Sequence, residues 1–318
     1  MNQLVTVGIT TFRRPELLRK ALNSVVQQSH KELQIIVIDD ASGDSTPSVV
    51  ASFDDERIEF IQHDDSEGAI VGRNEALQRA RGKYVAYLDD DDAWVDTKIE
   101  QQVSVAERGA QNVAVISCGG TLVNEHGQVL GNLLPGLTGS MRDSIVSGSL
   151  VTVPSAHLFR TEALREVEGY DGTLASHNEH DIWMTLADNN YTSDFVPEYL
   201  VEVGSHSGYR MTSDVKLRVD AVEAYFDKWY STLESWMGAS KALSFQRTFT
   251  SRVVAGVGNQ SLRQGSFAQA LSAYKVLLVR YPARLTTYQL IATGMASVTF
   301  EKTPLLPSPT TIKRWFRA

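Results

Sequence analysis

Cysteine is almost absent: Cys118 stands alone among 318 residues, which excludes an intramolecular disulfide framework and fits a reducing compartment. No stretch reaches about 18 consecutive apolar residues, so a spanning helix is not expected. The nearest approach is the interrupted segment Tyr288 to Phe300. The opening MNQLVTVGITTF lacks the basic start and apolar core of a secretory signal and is expected to form a strand instead. Together these absences lead to the expectation of a cytoplasmic protein, soluble or lying on the inner face of the membrane.

Acidic residues are scarce at one end only. Residues 263–318 carry eight Lys or Arg and a single acid, Glu301, whereas residues 1–262 carry 22 basic and 37 acidic side chains. Phosphate-backbone binding needs clustered cations, so the acidic body excludes nucleic acid as its partner. In the basic C-terminal tail, Lys302, Lys313, Arg314 and Arg317 flank Trp315 and Phe316, a mixture suited to peripheral contact with an anionic membrane surface. The plainer alternative is a solvated terminus whose aromatics pack on the body.

The remainder alternates strands and helices. An apolar run, Leu4 to Ile9, leads through a polar loop to Pro15, a residue that a first helical turn accepts. Leu17, Leu18, Ala21, Leu22, Val25 and Val26 then recur at spacings of three and four, predicting a helix to about Gln28. A second strand is expected at Gln34 to Ile38, whose almost continuous apolar run Ile35 to Ile38 predicts cover on both faces. A strand at Ile58 to Gln62, a helix from about Val71 to Ala80 and a strand at Tyr84 to Leu88 extend this into an open α/β sheet. Such sheets bind ligands beyond the C-terminal ends of their strands. Three polar clusters fall at such ends, Thr10 to Arg13, Asp39 to Asp44 and Asp89 to Asp92, and are expected to share one crevice.

Later segments are sparser. Strands are expected at Val113 to Cys118 and Ala156 to Phe159, and a helix around Asp181 to Asn189. Beyond about Ser213 two apolar helical stripes appear: Val219, Val222, Phe226, Trp229 and Leu233, then Phe267, Ala270, Leu271, Tyr274, Leu277 and Leu278. The expected division is therefore 1–212 as the catalytic domain and 213–318 as a helical C-terminal region.

Four carboxylates directly after a buried strand, Asp89 to Asp92, repel one another unless a cation compensates them. Mg²⁺ or Mn²⁺, bound by one or two carboxylates and by diphosphate oxygens, is the natural compensation. The bland alternative is that these aspartates cap the following helix. They do not stand alone, however. Val5-Thr6-Val7-Gly8-Ile9-Thr10-Thr11-Phe12-Arg13-Arg14, Ile36-Val37-Ile38-Asp39-Asp40-Ala41-Ser42, Gly68 with Arg73-Asn74, and Leu88-Asp89-Asp90-Asp91-Asp92-Ala93-Trp94 follow in an order and spacing that resembles the family 2 inverting glycosyltransferases. The resemblance covers roughly residues 3 to 210.

It implies the glycosyltransferase A fold, a nucleotide-binding Rossmann-like sheet merged with an acceptor-binding half, here with a helical C-terminal appendage. It also implies transfer of a sugar from a nucleotide diphosphate donor, expected to be a UDP-sugar, to a saccharide or lipid-linked saccharide acceptor, as in cell-envelope polysaccharide biosynthesis. Carried onto this sequence, the donor would be met by Thr10, Phe12, Arg13, Asp40, Arg73, Asp89 and Asp90. Thr10 and Phe12 would line the base pocket, Asp40 would accept the uracil N–H, Arg73 would hold base or phosphate, and Asp89 would meet the ribose. Asp91 would bind the divalent metal, helped by His206, and Arg210 would pair with diphosphate oxygens.

Inversion needs a base that deprotonates the acceptor hydroxyl. The stretch His177-Asn178-Glu179-His180-Asp181-Ile182-Trp183 resembles the family's second acidic motif, and aligning on Asp181-Ile182-Trp183 puts Glu179 at the base position. The family usually has Asp there, and an acid where this chain has Asn178; a register shift would make Asp181 the base. His180 and Trp183 would face the acceptor. Two rivals stay open: a nucleotidyltransferase, whose Gly-rich basic opening loop is missing from Thr10 to Pro15, and a sugar-nucleotide-binding protein that has lost catalysis.

Overall fold

A computed structural model describes residues 3–133, 136, 138–147, 153–205, 215–263 and 265–280. His206, Arg210 and the basic tail of residues 281–318 lie outside the described residues. Contacts divide the chain into two compact units, Met1–His206 and Ser207–Ala318.

In the first unit β1 (Val5–Thr11), α1 (Pro15–Val26), β2 (Leu33–Asp39), α2 (Thr46–Ala51), β3 (Ile58–Gln62), α3 (Ala69–Arg79) and β4 (Tyr84–Asp89) form a regular α/β succession. There follow β5 (Ala93–Trp94), α4 (Lys98–Arg108), β6 (Val113–Asn124), β7 (Val129–Leu133), β8 (Gly139–Ser140), α5 (Met141–Ser147), β9 (His157–Arg160), α6 (Thr161–Glu166), α7 (Asn178–Asp188) and β10 (Thr192–Ser205). All strands join one sheet in the order β3-β2-β1-β4-β9-β6-β10-β5, with β7 beside β6 and β8 beside β10. The β3-β2-β1-β4 half is parallel. Antiparallel β9 joins it to a mixed half in which β6 runs parallel to β10.

The local causes are those of the sequence. Every residue of β2 is buried, because helices cover both faces of its sheet. On one face Val5, Val7 and Ile9 pack with Leu18, Leu22 and Val25 of α1. On the other, α3 lies close enough that a Cβ at Gly8 would meet the Ala76 Cβ at 2.9 Å and one at Gly72 the Thr10 Cγ2 at 2.7 Å. This intimacy requires glycine on both elements.

Several elements differ from expectation; β6, expected to end at Cys118, continues to Asn124. β1 runs on through Thr10 and Thr11, since both threonines find ladder partners in β2 and the first of them also in β4. α7 starts at Asn178, which places Glu179 in its first turn. The 14-residue β10 was not anticipated at all; its pairing with β6 is broken by irregularities around Val196, Tyr199 and Val201.

The second unit consists, in its described residues, of α8 (Val215–Met237), α9 (Ala239–Arg263) and α10 (Phe267–Arg280). Tyr225, Phe226, Phe245 and Phe249 stack between α8 and α9, and Gly258 admits the Tyr274 ring of α10. The expected first stripe is buried throughout, but the second splits. Ala270, Tyr274 and Leu277 are buried, whereas Phe267, Leu271 and Leu278 are exposed, because α10 carries apolar residues on more of its circumference than one packed face can use. Among the described residues, no helix is long and apolar enough to cross a membrane.

Candidate functional site

The ladder itself assembles the first two polar clusters with the third. Thr10 pairs with Asp89 and Thr11 with Asp39, so the C-terminal ends of β1, β2 and β4 stand side by side, as parallel registry dictates.

Each aspartate of the run after β4 has a different occupation. Asp90 turns inward, where Thr11 Oγ1 donates to it at 2.8 Å and Arg14 at 3.2 Å; burial pushes its carboxyl up to about 6. Asp92 is also buried, accepting from Ser155 Oγ at 2.6 Å and from the Gly204 amide at 2.9 Å. Burial, then the charges of Asp89 and Asp91, raise it well above the usual carboxylate range. Asp91 is met by Arg14 at 3.4 Å, and Asp89 by Arg73 at 2.7 Å. Ligand atoms of Asp89, Asp91 and Asp92 lie within 4.8 Å of one another. Three carboxylates this close together are hard oxygen donors that fit a small divalent cation, which would be held by Asp89, Asp91 and Asp92.

Arg73 joins the two halves of the unit. It reaches from α3 to Asp89 at 2.7 Å and to Glu179 of α7 at 2.8 Å, with its guanidinium 5.6 Å from the Tyr170 ring. Desolvation opposes its charge, but Asp89 and Glu179 hold it firmly protonated. Tyr170 donates to Glu179 at 3.4 Å, and His157 Nδ1 stands 3.8 Å from the same carboxylate. Burial pushes the Glu179 carboxyl up to about 7, against Arg73 and with the help of Asp89. A carboxyl near 7 is suited to taking a proton at neutral pH.

The backbone is unusual here. Arg13, Ala41 and His177 have φ of 55°, 62° and 67°, a region costly for residues with a Cβ, and each sits in a loop at these strand and helix ends. Arg13 donates its amide to Ser42 at 2.7 Å and lies over the half-exposed Phe12 ring. Asp40 accepts from Ser66, Glu67, Gly68 and His63, so its oxygens secure the 66–68 loop. Asp181 and Trp183 are both 1% exposed and His180 8%. Trp183 turns inward to the His157 ring at 5.5 Å, so neither aromatic offers a broad face to an acceptor. From sequence, Arg14, Tyr170, Ser155 and Gly204 have no assigned role, and His157 is only a weaker ligand candidate. Of the first four only Tyr170, next to Gly169 before α7, carried a signal.

A profile of glycosyl transferase family 2 matches residues 6–168, about half of the chain. The chain belongs to glycosyl transferase family 2. Its fold is that of glycosyltransferase structures: it resembles S. aureus TarS 1-349 in complex with UDP-GlcNAc (TM-score 0.57, 15% identity, 88% of this chain and 91% of that one). It likewise resembles a Pyrobaculum calidifontis mannosyltransferase in complex with GDP-Man and Mn²⁺ (TM-score 0.56, 16% identity, 95% of this chain and 89% of that one). A UDP-Glc:α-D-GlcNAc-diphosphoundecaprenol β-1,3-glucosyltransferase of Escherichia coli is 36% identical over 105 residues, 33% of this chain and 42% of that protein. The chain spans about two fifths of the length of such curated relatives. The family 2 profile ends before α7, so Glu179 lies beyond the matched segment.

Gly204 fixes the aspartate turn from the far side of the family 2 sheet. A Cβ there would fall on the Asp91 carbonyl oxygen, and its amide holds Asp92. Gly204→Ala is therefore expected to cost about 2–4 kcal/mol, a steric clash plus a strained hydrogen bond at a buried carboxylate. Urea denaturation checks this; an unchanged midpoint would show that β10 does not clamp the turn.

Proposed function

We propose that this family 2 member transfers a sugar, with inversion, from a UDP-sugar to a lipid-linked saccharide. The observation that carries the reading is the single guanidinium of Arg73 spanning Asp89 and Glu179, which puts a donor-side acid and a candidate base on one hinge. The UDP-GlcNAc complex of TarS supports the donor class, and the diphosphoundecaprenol saccharide named for the E. coli relative supports the acceptor class.

In this reading Thr10 and Phe12 line the base, and Asp40 accepts the uracil N–H in competition with the loop amides it now binds. Asp89 meets the ribose while Arg73 orients it. Glu179, ionised, takes the proton of the acceptor hydroxyl as that oxygen attacks the anomeric carbon opposite the leaving diphosphate. Glu179 is preferred to Asp181 because it faces Arg73 and Asp89, whereas Asp181 is enclosed. A divalent cation on Asp89, Asp91 and Asp92 would supply charge neutralisation for the departing UDP. Arg13 lies beside the donor end, and Asp90 ties the turn to Thr11 and Arg14. His206 and Arg210 are assigned to cation and diphosphate from the sequence resemblance.

Thermal denaturation with Mn²⁺ and a panel of UDP, GDP, ADP and CDP tests the donor. A UDP-selective rise in Tm that needs the cation is expected. A GDP-selective rise would replace the donor assignment, and no rise with any nucleotide would overturn the donor site.

A further inference from the structure

Among the described residues of the second unit, α10 presents a surface that their packing leaves exposed. At 3.6 residues per turn, Phe267, Leu271 and Leu278 fall on one side of α10, with Val279 further around and Lys275 between. Phe267, Leu271 and Val279 are 66%, 70% and 71% exposed. The adjoining sector of the same helix holds Ala270, Ala273, Tyr274 and Leu277 in the core of the unit. A soluble helix ordinarily confines its apolar residues to the buried side; α10 exposes Gln269, Ser272 and Lys275 but leaves Phe267, Leu271 and Val279 exposed as well.

Charge is distributed with equal one-sidedness. Between Ser235 and Phe300 the sequence contains no Asp or Glu and seven Lys or Arg. Of these Lys241, Arg247 and Arg252 on α9 and Lys275 on α10 are exposed. An uncovered apolar stripe on a hairpin of purely positive charge complements a surface that is negative outside and hydrocarbon within. Nucleic acid would satisfy the cations but offer nothing to Phe267, Leu271 and Val279; an acidic protein groove would need a matching apolar floor.

We propose that the α9–α10 hairpin is a docking surface for an anionic lipid bilayer, with the Phe267, Leu271 and Val279 side chains entering the headgroup–acyl boundary and Lys241, Arg247, Arg252 and Lys275 meeting the headgroups. Binding here needs neither nucleotide nor divalent cation, so it stands or falls separately from the donor assignment. It also places the contact on folded helices rather than on the basic C-terminal tail.

The test is co-sedimentation of the full chain with phosphatidylglycerol vesicles, with phosphatidylcholine vesicles as reference. Binding to the anionic vesicles alone is expected, weakening with salt. Phe267→Ser/Leu271→Ser/Val279→Ser, at exposed positions, should weaken it by more than about a hundredfold. Lys241→Gln/Arg247→Gln/Arg252→Gln/Lys275→Gln should do the same at about fivefold per charge. A single Leu271→Trp gives a second readout that leaves the buried face untouched: its fluorescence should shift to the blue on anionic vesicles. Absence of vesicle binding overturns the proposal. So does binding that survives both multiple variants and is lost only on Lys302→Gln/Lys313→Gln/Arg314→Gln/Arg317→Gln. Tighter binding to duplex DNA than to vesicles, or a stripe variant that alters only oligomeric state, would equally overturn it.

Discussion

Glu179→Gln should lower sugar transfer by about 10²–10⁴-fold, the usual worth of a positioned base, while leaving the affinity for UDP within a few fold. The glutamine keeps a carbonyl oxygen for Arg73, 2.8 Å away, and its amide can donate to the Tyr170 oxygen in place of accepting from it, so the geometry is largely kept while the proton acceptor is lost. The pH profile carries the sign. The ionised carboxylate is the working form, and burial holds its carboxyl near 7, so transfer by the native chain should fall about tenfold per unit below that pH. The variant's residual rate should lack this limb. A variant with native kcat would move the base to another residue, Asp181 being the first to try.

A second large effect is expected of Asp91→Asn. Loss of one ligand from Asp89, Asp91 and Asp92 should remove the Mn²⁺-dependent response to UDP and cut transfer by about a thousandfold, equivalent to several kcal/mol of transition-state charge stabilisation. Stability should move the other way. The Asp91 charge is among the causes that raise both Asp90 and Asp92, so its removal relieves repulsion, and the nucleotide-free variant should melt no lower than the native chain. A lower Tm together with retained transfer would assign Asp91 to the fold.

The halves of the molecule were unequally legible. The run Ile35 to Ile38 announced a strand covered on both faces, and acids placed directly after buried strands announced the ligand end of the sheet. The division of labour within Asp89 to Asp92 was closed to sequence. Which carboxylate turns inward depends on the tight turn in which the Asp92 amide bonds the Asp89 carbonyl, and on Ser155 and Gly204, which arrive from distant segments. β10 was missed because Asp194, Pro197 and Glu198 blur its alternation and its ladder is irregular. Trp183, adjacent to an acidic motif, read as an acceptor platform; on the helix it points inward. The stripe of α10 looked like a core face because periodicity marks apolar residues without saying which of them find a partner.

The site's cross-links are long in sequence. Arg73 and Glu179 are 106 residues apart, and Gly204 and Asp92 112. Contacts of such separation form late, after loop closure across most of the unit has already been achieved. A nascent chain emerging from the ribosome can therefore build β1 through β4 while its four aspartates are still exposed and its proposed base is unsynthesised, and it gains the amide that holds Asp92 only when β10 docks. A chain cut short before Gly204 would lack the amide that holds Asp92, and with it the clamp on the aspartate turn.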